Sequence, residues 1–138
     1  MTACMVGWTH STFGKLEGED VDALIVGVAT DAIADAGIAP ADIDAIYLGF
    51  YNGRSSAQDF GSSLLLQADP ALRHNSATRV EIACLTGSAA IHHWVNFLDA
   101  TKVRLLLVAG VENMTDTVCP EAGINLTQPT YPYDDSTT

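Results

Sequence analysis

Cys84 stands between two contrasting stretches. Residues 78–83 (TRVEIA) alternate polar and apolar side chains, and residues 85–90 (LTGSAA) open a long apolar helical segment. A cysteine at a strand-to-helix corner lies near backbone N–H groups that have no intrahelical partner, at the positive end of the helix dipole. Such a setting favours the thiolate, which is the nucleophilic form of sulfur. Covalent chemistry at this thiol is therefore one reading. The other is packing, because free cysteines are commonly buried as small hydrophobes. Cys4, inside a short apolar run, reads as core packing. Cys119, beside Pro120, has no helix after it and no pattern that would activate it.

Other chemistry-bearing residues are weaker candidates. His92 and His93 fall in the middle of the helical segment and read as packing or surface residues. His74 falls in a loop, where solvation is the default, and His10 lies near the start of the chain. Asp20, Asp22, Asp59 and Asp69 sit where helices begin or loops turn, and aspartate is a routine cap there. Trp8 and Trp94 read as core. Asn52-Gly53 reads as a turn rather than a phosphate cradle. The three cysteines show no metal-ligand spacing, so no metal site and no disulfide framework are expected.

The elements that must position Cys84 follow from periodicity. Residues 3–9 read as a short buried strand. From Val21 a helical pattern places Val21, Ile25, Val28 and Ala32 on one face, ending at Gly37 and Pro40. Residues 45–50 (AIYLGF) read as a second strand, and 56–67 as a helix before the Asp69-Pro70 break. Residues 78–83 read as a third strand with one exposed face, and 85–99 as a helix apolar on nearly all sides. Residues 103–109 (VRLLLVA) read as a central parallel strand. This alternation calls for an α/β sheet with right-handed crossovers. Residues 1–114 form the expected domain. Residues 115–138, without periodicity, form an irregular segment leading to a further part of the fold.

The 138 residues carry a net charge of −11, and the six basic residues are scattered singly. Nucleic-acid and anionic-membrane partners are not expected of such a surface. The apolar runs are too short to span a bilayer. Cysteine usage and the absence of a basic leader with an apolar run suggest a reducing cytoplasm.

The block from Arg79 to Thr115 resembles the region around the first reactive cysteine of the thiolase superfamily, most of all the sterol-carrier-protein-type thiolases and acetyl-CoA acetyltransferases. Residues 12–15 (TFGK), 34–38 (ADAGI) with Ile43-Asp44, and 111–114 (VENM) are similar to other family segments in the same order. The resemblance implies a partial thiolase-like fold, the first half only, layered α-β-α with a mostly parallel mixed sheet, in which Cys84 accepts an acyl group from coenzyme A. The acyl-enzyme is then resolved in a Claisen condensation or in thiolysis of a 3-ketoacyl-CoA. It also implies that the Cys84 N–H contributes to an oxyanion hole, and that Gly87 and Ser88 let the helix begin close to the ligand. The coenzyme A thioester is a substrate, and no resident cofactor is expected. Expected partners are the acyl-CoA, a second copy of the chain through the strand before Cys84, or a companion small subunit.

Thr86 stands where many relatives have serine, and Leu85 where a small residue is usual. His10, His74, His92 and His93 match none of the family's activating histidines. Those and the second cysteine belong to the family's later half, so residues 1–138 alone are expected not to turn over. The alternative reading is a thiolase-like partner subunit, or a carbon–carbon lyase acting on acyl-CoA without the full acid–base set.

Overall fold

The computed structural model describes residues 3–16, 18–50, 65–100 and 103–113. Helix α1 spans Val21–Ala36. It begins where the Asp20 carboxylate accepts the Ala23 N–H at 2.8 Å, satisfying one of the orphan donors of the first turn. It ends at Gly37, whose φ of 64° is the left-handed conformation that glycine adopts without steric cost. The buried row is Val21, Ile25, Ala29 and Ile33, four residues apart. Val28 and Ala32, expected in that row, lie beside it and are half-buried. The reason is geometric: a helix packs through its i, i+4 ridge rather than through a straight line of apolar residues.

Among the described residues three strands form a parallel sheet in the order β2-β1-β3: β1 at Ala45–Phe50, β2 at Ser76–Val80 and β3 at Leu106–Val111. All of β1 is buried, as befits a central strand covered on both faces. The expectation that the 103–109 run would be central needs correction. Its strand begins at Leu106 and pairs, among the described residues, with β1 alone. An unbroken apolar run reports that both faces are covered and says nothing about its edges. Strand β2 is shorter than expected and ends at Val80, its alternating exposure fitting an edge.

Asp44 fastens the start of β3 to that of β1. Its Oδ2 accepts the N–H groups of Arg104 at 2.9 Å and Leu105 at 3.0 Å, while its own N–H donates to the Leu105 carbonyl at 2.9 Å. The two backbone donors stabilise the carboxylate and hold its pKa below the ordinary aspartate value.

Side chains of opposite parity build the two outer interfaces. Ile46, Leu48, Phe50 and Leu107 pack with the α1 row, Ile43, Leu65 and Leu72. Tyr47 and Val80 pack with Ala90, backed by Trp94, Phe97, Leu106 and Val108. These residues dock helix α2, Thr86–Ala100, with the Phe97 ring edge-on to Tyr47 at 5.9 Å. The architecture is thus α-β-α, as expected. Helix α2 is not buried on nearly all sides, however. Among its described side chains only Thr86 and Ala90 are buried, and Ile91 is exposed. The helix meets the sheet through one face, and Ile91, Trp94 and Leu98 border a groove described below.

Residues 3–9 are also not a buried strand. They run without ladder bonds along α1, where the Trp8 N–H donates to Asp35 Oδ2 at 2.9 Å and Gly7 lies too close to Ala32 and Ala36 for a side chain. Cys4 and Trp8, expected in the core, are exposed, Trp8 to 62%. A short apolar run becomes a strand only where an edge receives it, and here a helix surface receives it instead.

The cap readings hold for Asp20 and for Asp69, whose carboxylate accepts the Ala71 N–H at 2.7 Å above a 3-10 turn at Pro70–His74. The expected Asn52-Gly53 turn, Asp59, Cys119, the irregular 115–138 segment and most of the 56–67 helix lie outside the described residues. Among the described residues no helix is long and apolar enough to cross a membrane.

Candidate active site

The chain leaves β2 at Val80 and turns sharply before α2. Ile82 has φ −141° and ψ 59°, and Ala83 takes a φ of 44°. A positive φ on a residue with a Cβ costs on the order of 1–3 kcal/mol and persists only where its surroundings enforce it. Residues Ala83–Leu85 then form a single 3-10 turn that runs into α2. Cys84 sits in that turn and is exposed. The expected direct passage from a strand at 78–83 into the helix is therefore replaced by a strained two-step corner, with the thiol just ahead of the first α-helical residue.

Thr86 holds the corner shut. Its Oγ1 accepts the Ile82 N–H at 2.9 Å and donates to the Ala83 carbonyl at 2.7 Å, so both bonds bracket the strained residue. The Leu85 N–H closes the turn onto the Ile82 carbonyl at 2.9 Å. Thr86 is buried, 7% exposed, over Gly49 of β1; a Cβ at Gly49 would lie 3.0 Å from Thr86 Cγ2. On the strand side, Arg79 donates from Nε to the Phe50 carbonyl at 3.2 Å, pairs with Glu81, and places its guanidinium 5.3 Å from the Phe50 ring centre. These contacts tie the end of β2 to the end of β1 just before the corner.

Cys84 borders a groove of about 1270 Å³. Strand β3 forms its floor, residues 3–14 one wall, and Leu24 and Val28 of α1 another, with Thr86 and Trp94 of α2 also lining it. Its lining is mostly apolar with few polar groups. His10 borders the same groove, its ring stacked on Phe13 and tilted against Trp8, with its Nδ1 2.6 Å from the Ser11 carbonyl. His74, His92 and His93 are exposed.

The family model of the thiolase N-terminal domain matches residues 3–132. This chain belongs to that family. Acetyl-CoA acetyltransferase of Methanothermobacter thermautotrophicus is 35% identical over 122 residues, covering 87% of this chain and 31% of the relative. That of Methanocaldococcus jannaschii is 34% identical over 122 residues, covering 88% and 31%. The chain thus spans about a third of the length of the curated relatives it matches. In three dimensions it is similar to 3-oxoacyl-[acyl-carrier-protein] synthase III from Aquifex aeolicus, with a TM-score of 0.62, 21% identity, 72% of this chain covered and 32% of the other. The fold of this thiolase N-terminal domain is the partial layered α/β architecture that the sequence resemblance implied.

Sequence reasoning singled out Cys84 and noticed Thr86 only as a departure from serine. It missed the clamp made by the Thr86 hydroxyl, the strain at Ala83 and the role of Gly49. The one available signal was a hydroxyl residue at a helix start, two positions after the cysteine.

Proposed function

We propose that this thiolase N-terminal domain supplies the acyl-accepting cysteine of an acyltransferase that works on coenzyme A thioesters. The observation that carries the reading is the placement of Cys84: an exposed thiol in a strained turn at the head of α2, on the rim of an apolar groove. Its thiolate attacks the thioester carbonyl carbon, and the π electrons move onto oxygen. The oxyanion collapses, the carbon–sulfur bond to coenzyme A breaks, and the departing thiolate takes up a proton. The product is an acyl group on Cys84 Sγ. Backbone N–H groups of the turn, that of Cys84 among them, serve as oxyanion donors. A carbanion then takes the acyl group in a condensation, or the coenzyme A thiol takes it in thiolysis. The histidines and second cysteine that move protons in these steps belong, by resemblance, to the family's later half.

The acetyltransferase names of two relatives favour this reading over that of a lyase or a partner subunit. The same reading makes the enzyme a cytoplasmic homodimer in acyl-lipid metabolism, joined through the β2 edge. Ile82 and Leu85, 51% and 65% exposed beside that edge, supply an apolar surface for such pairing. The test is incubation of the full-length gene product with acetyl-CoA, followed by peptide mass spectrometry. Acetyl on Cys84, lost in Cys84→Ala, supports the reading; an unmodified Cys84 overturns it.

A further inference from the structure

We infer that Thr86 is the positioning residue for Cys84, and that its hydroxyl, not its bulk, holds the thiol in register with the groove. The inference rests on the acyl-accepting role proposed for Cys84 and goes beyond it, because Thr86 acts through backbone atoms and need never touch substrate.

Two hydrogen bonds converge on one oxygen. Thr86 Oγ1 accepts from Ile82 N–H and donates to the Ala83 carbonyl, so it staples the residues on both sides of the peptide that enters the φ 44° conformation. Ala83 precedes Cys84 directly, and any relaxation of Ala83 toward negative φ swings the Cα–Cβ bond of Cys84 away from its present direction. The strain needs an enforcer. Two backbone bonds also close the turn, Leu85 N–H to the Ile82 carbonyl and Thr86 N–H to the Ala83 carbonyl, and the hydroxyl is the side-chain contact that joins Ile82 to Ala83. The hydroxyl cannot turn aside, since burial over Gly49 confines the side chain and both hydrogen-bonding roles of the oxygen are in use. Valine keeps the shape of threonine and removes the staple. Serine keeps the staple and removes the methyl group against Gly49.

The experiment compares wild type, Thr86→Val and Thr86→Ser in the full-length protein, reading two reactions at Cys84 by peptide mass spectrometry: acetyl transfer from acetyl-CoA, and alkylation by iodoacetamide. A nucleophile displaced by a fraction of an ångström loses transfer rate steeply, so Thr86→Val is expected to lower acetyl transfer by at least about tenfold, with half-saturation by acetyl-CoA changed by less than about twofold. Thr86→Ser is expected to stay within about threefold of wild type. Equal transfer rates in wild type and Thr86→Val overturn the inference. So does a serine variant as slow as the valine variant, which would assign the effect to packing. If wild-type Cys84 accepts no acetyl group, the acyltransferase reading fails and alkylation decides the positioning role alone. A slowed Thr86→Val restored by Thr86→Ser then upholds it, and equal alkylation rates overturn it. Hydrogen exchange at the Ile82 amide, slow in wild type and serine and fast in valine, shows that the staple itself was removed.

Discussion

Replacing Gly49 with alanine puts a methyl group where the structure has no room for one. The new Cβ would lie 3.0 Å from Thr86 Cγ2, 3.3 Å from the Thr86 carbonyl oxygen and 3.5 Å from its carbonyl carbon. Ordinarily a neighbouring side chain yields by a few tenths of an ångström. Here Thr86 is pinned by two hydrogen bonds and stands at the first residue of α2. Yielding therefore means lifting the start of the helix or breaking the staple. Overpacking of this kind costs about 1–3 kcal/mol. Alanine returns about 0.4–1 kcal/mol by restricting the unfolded chain. The net expectation is a loss of about 1–2 kcal/mol in urea unfolding, accompanied by slower acetyl transfer to Cys84. The double variant Gly49→Ala with Thr86→Ser tests the cause, because removing Cγ2 clears the shortest contact. It should recover at least about 0.5 kcal/mol relative to the sum of the two single changes. Strict additivity, or a Gly49→Ala protein as stable and as reactive as wild type, would refute the reasoning.

Three further outcomes are expected. Asp44→Asn should remove the charge that accepts two backbone donors at the head of β3. Because the folded state lowers the Asp44 pKa, its contribution is present above the unfolded value, near 3.9, and is lost as pH falls through the folded value. Wild-type stability should therefore fall more steeply than that of the variant below about pH 4, by well under about 1 kcal/mol for so exposed a group, as urea midpoints at pH 7 and pH 3 will show. Asp20→Ala deletes the cap of α1 and should cost about 1 kcal/mol in the same assay, with Asp20→Ser recovering most of it. Leu48→Ala empties a fully buried position between the sheet and α1 and should cost about 2–5 kcal/mol.

Much of this fold is written locally. The Asp20 cap, the four-residue row through Ile33 and the left-handed Gly37 bound α1 within one stretch of sequence, and 45–50 is apolar enough to be a central strand wherever it lands. What failed was non-local. Residues 3–9 have strand-like composition, but ladder partners are chosen in three dimensions, and Gly7 fits against Ala36 of α1 instead. The apolar run before Val111 and the apolar circumference of α2 announced covered faces without naming which edge or flank stays open. At the site, the type and position of Cys84 were legible because a strand, a cysteine and a small-residue helix start follow one another. The strain at Ala83 left no trace, since alanine has no preference for positive φ. The clamp at Thr86 depends on Gly49, thirty-seven positions earlier, which no local pattern connects to it.

The central claim is that sulfur at Cys84 takes an acyl group from coenzyme A. Its most direct measurement is a peptide map of the full-length protein after brief exposure to acetyl-CoA and quenching in acid. One acetyl group on the peptide carrying Cys84, discharged by added coenzyme A, is the predicted result. Acetyl found on Cys4 or Cys119 instead, or on no cysteine at all, would contradict the account.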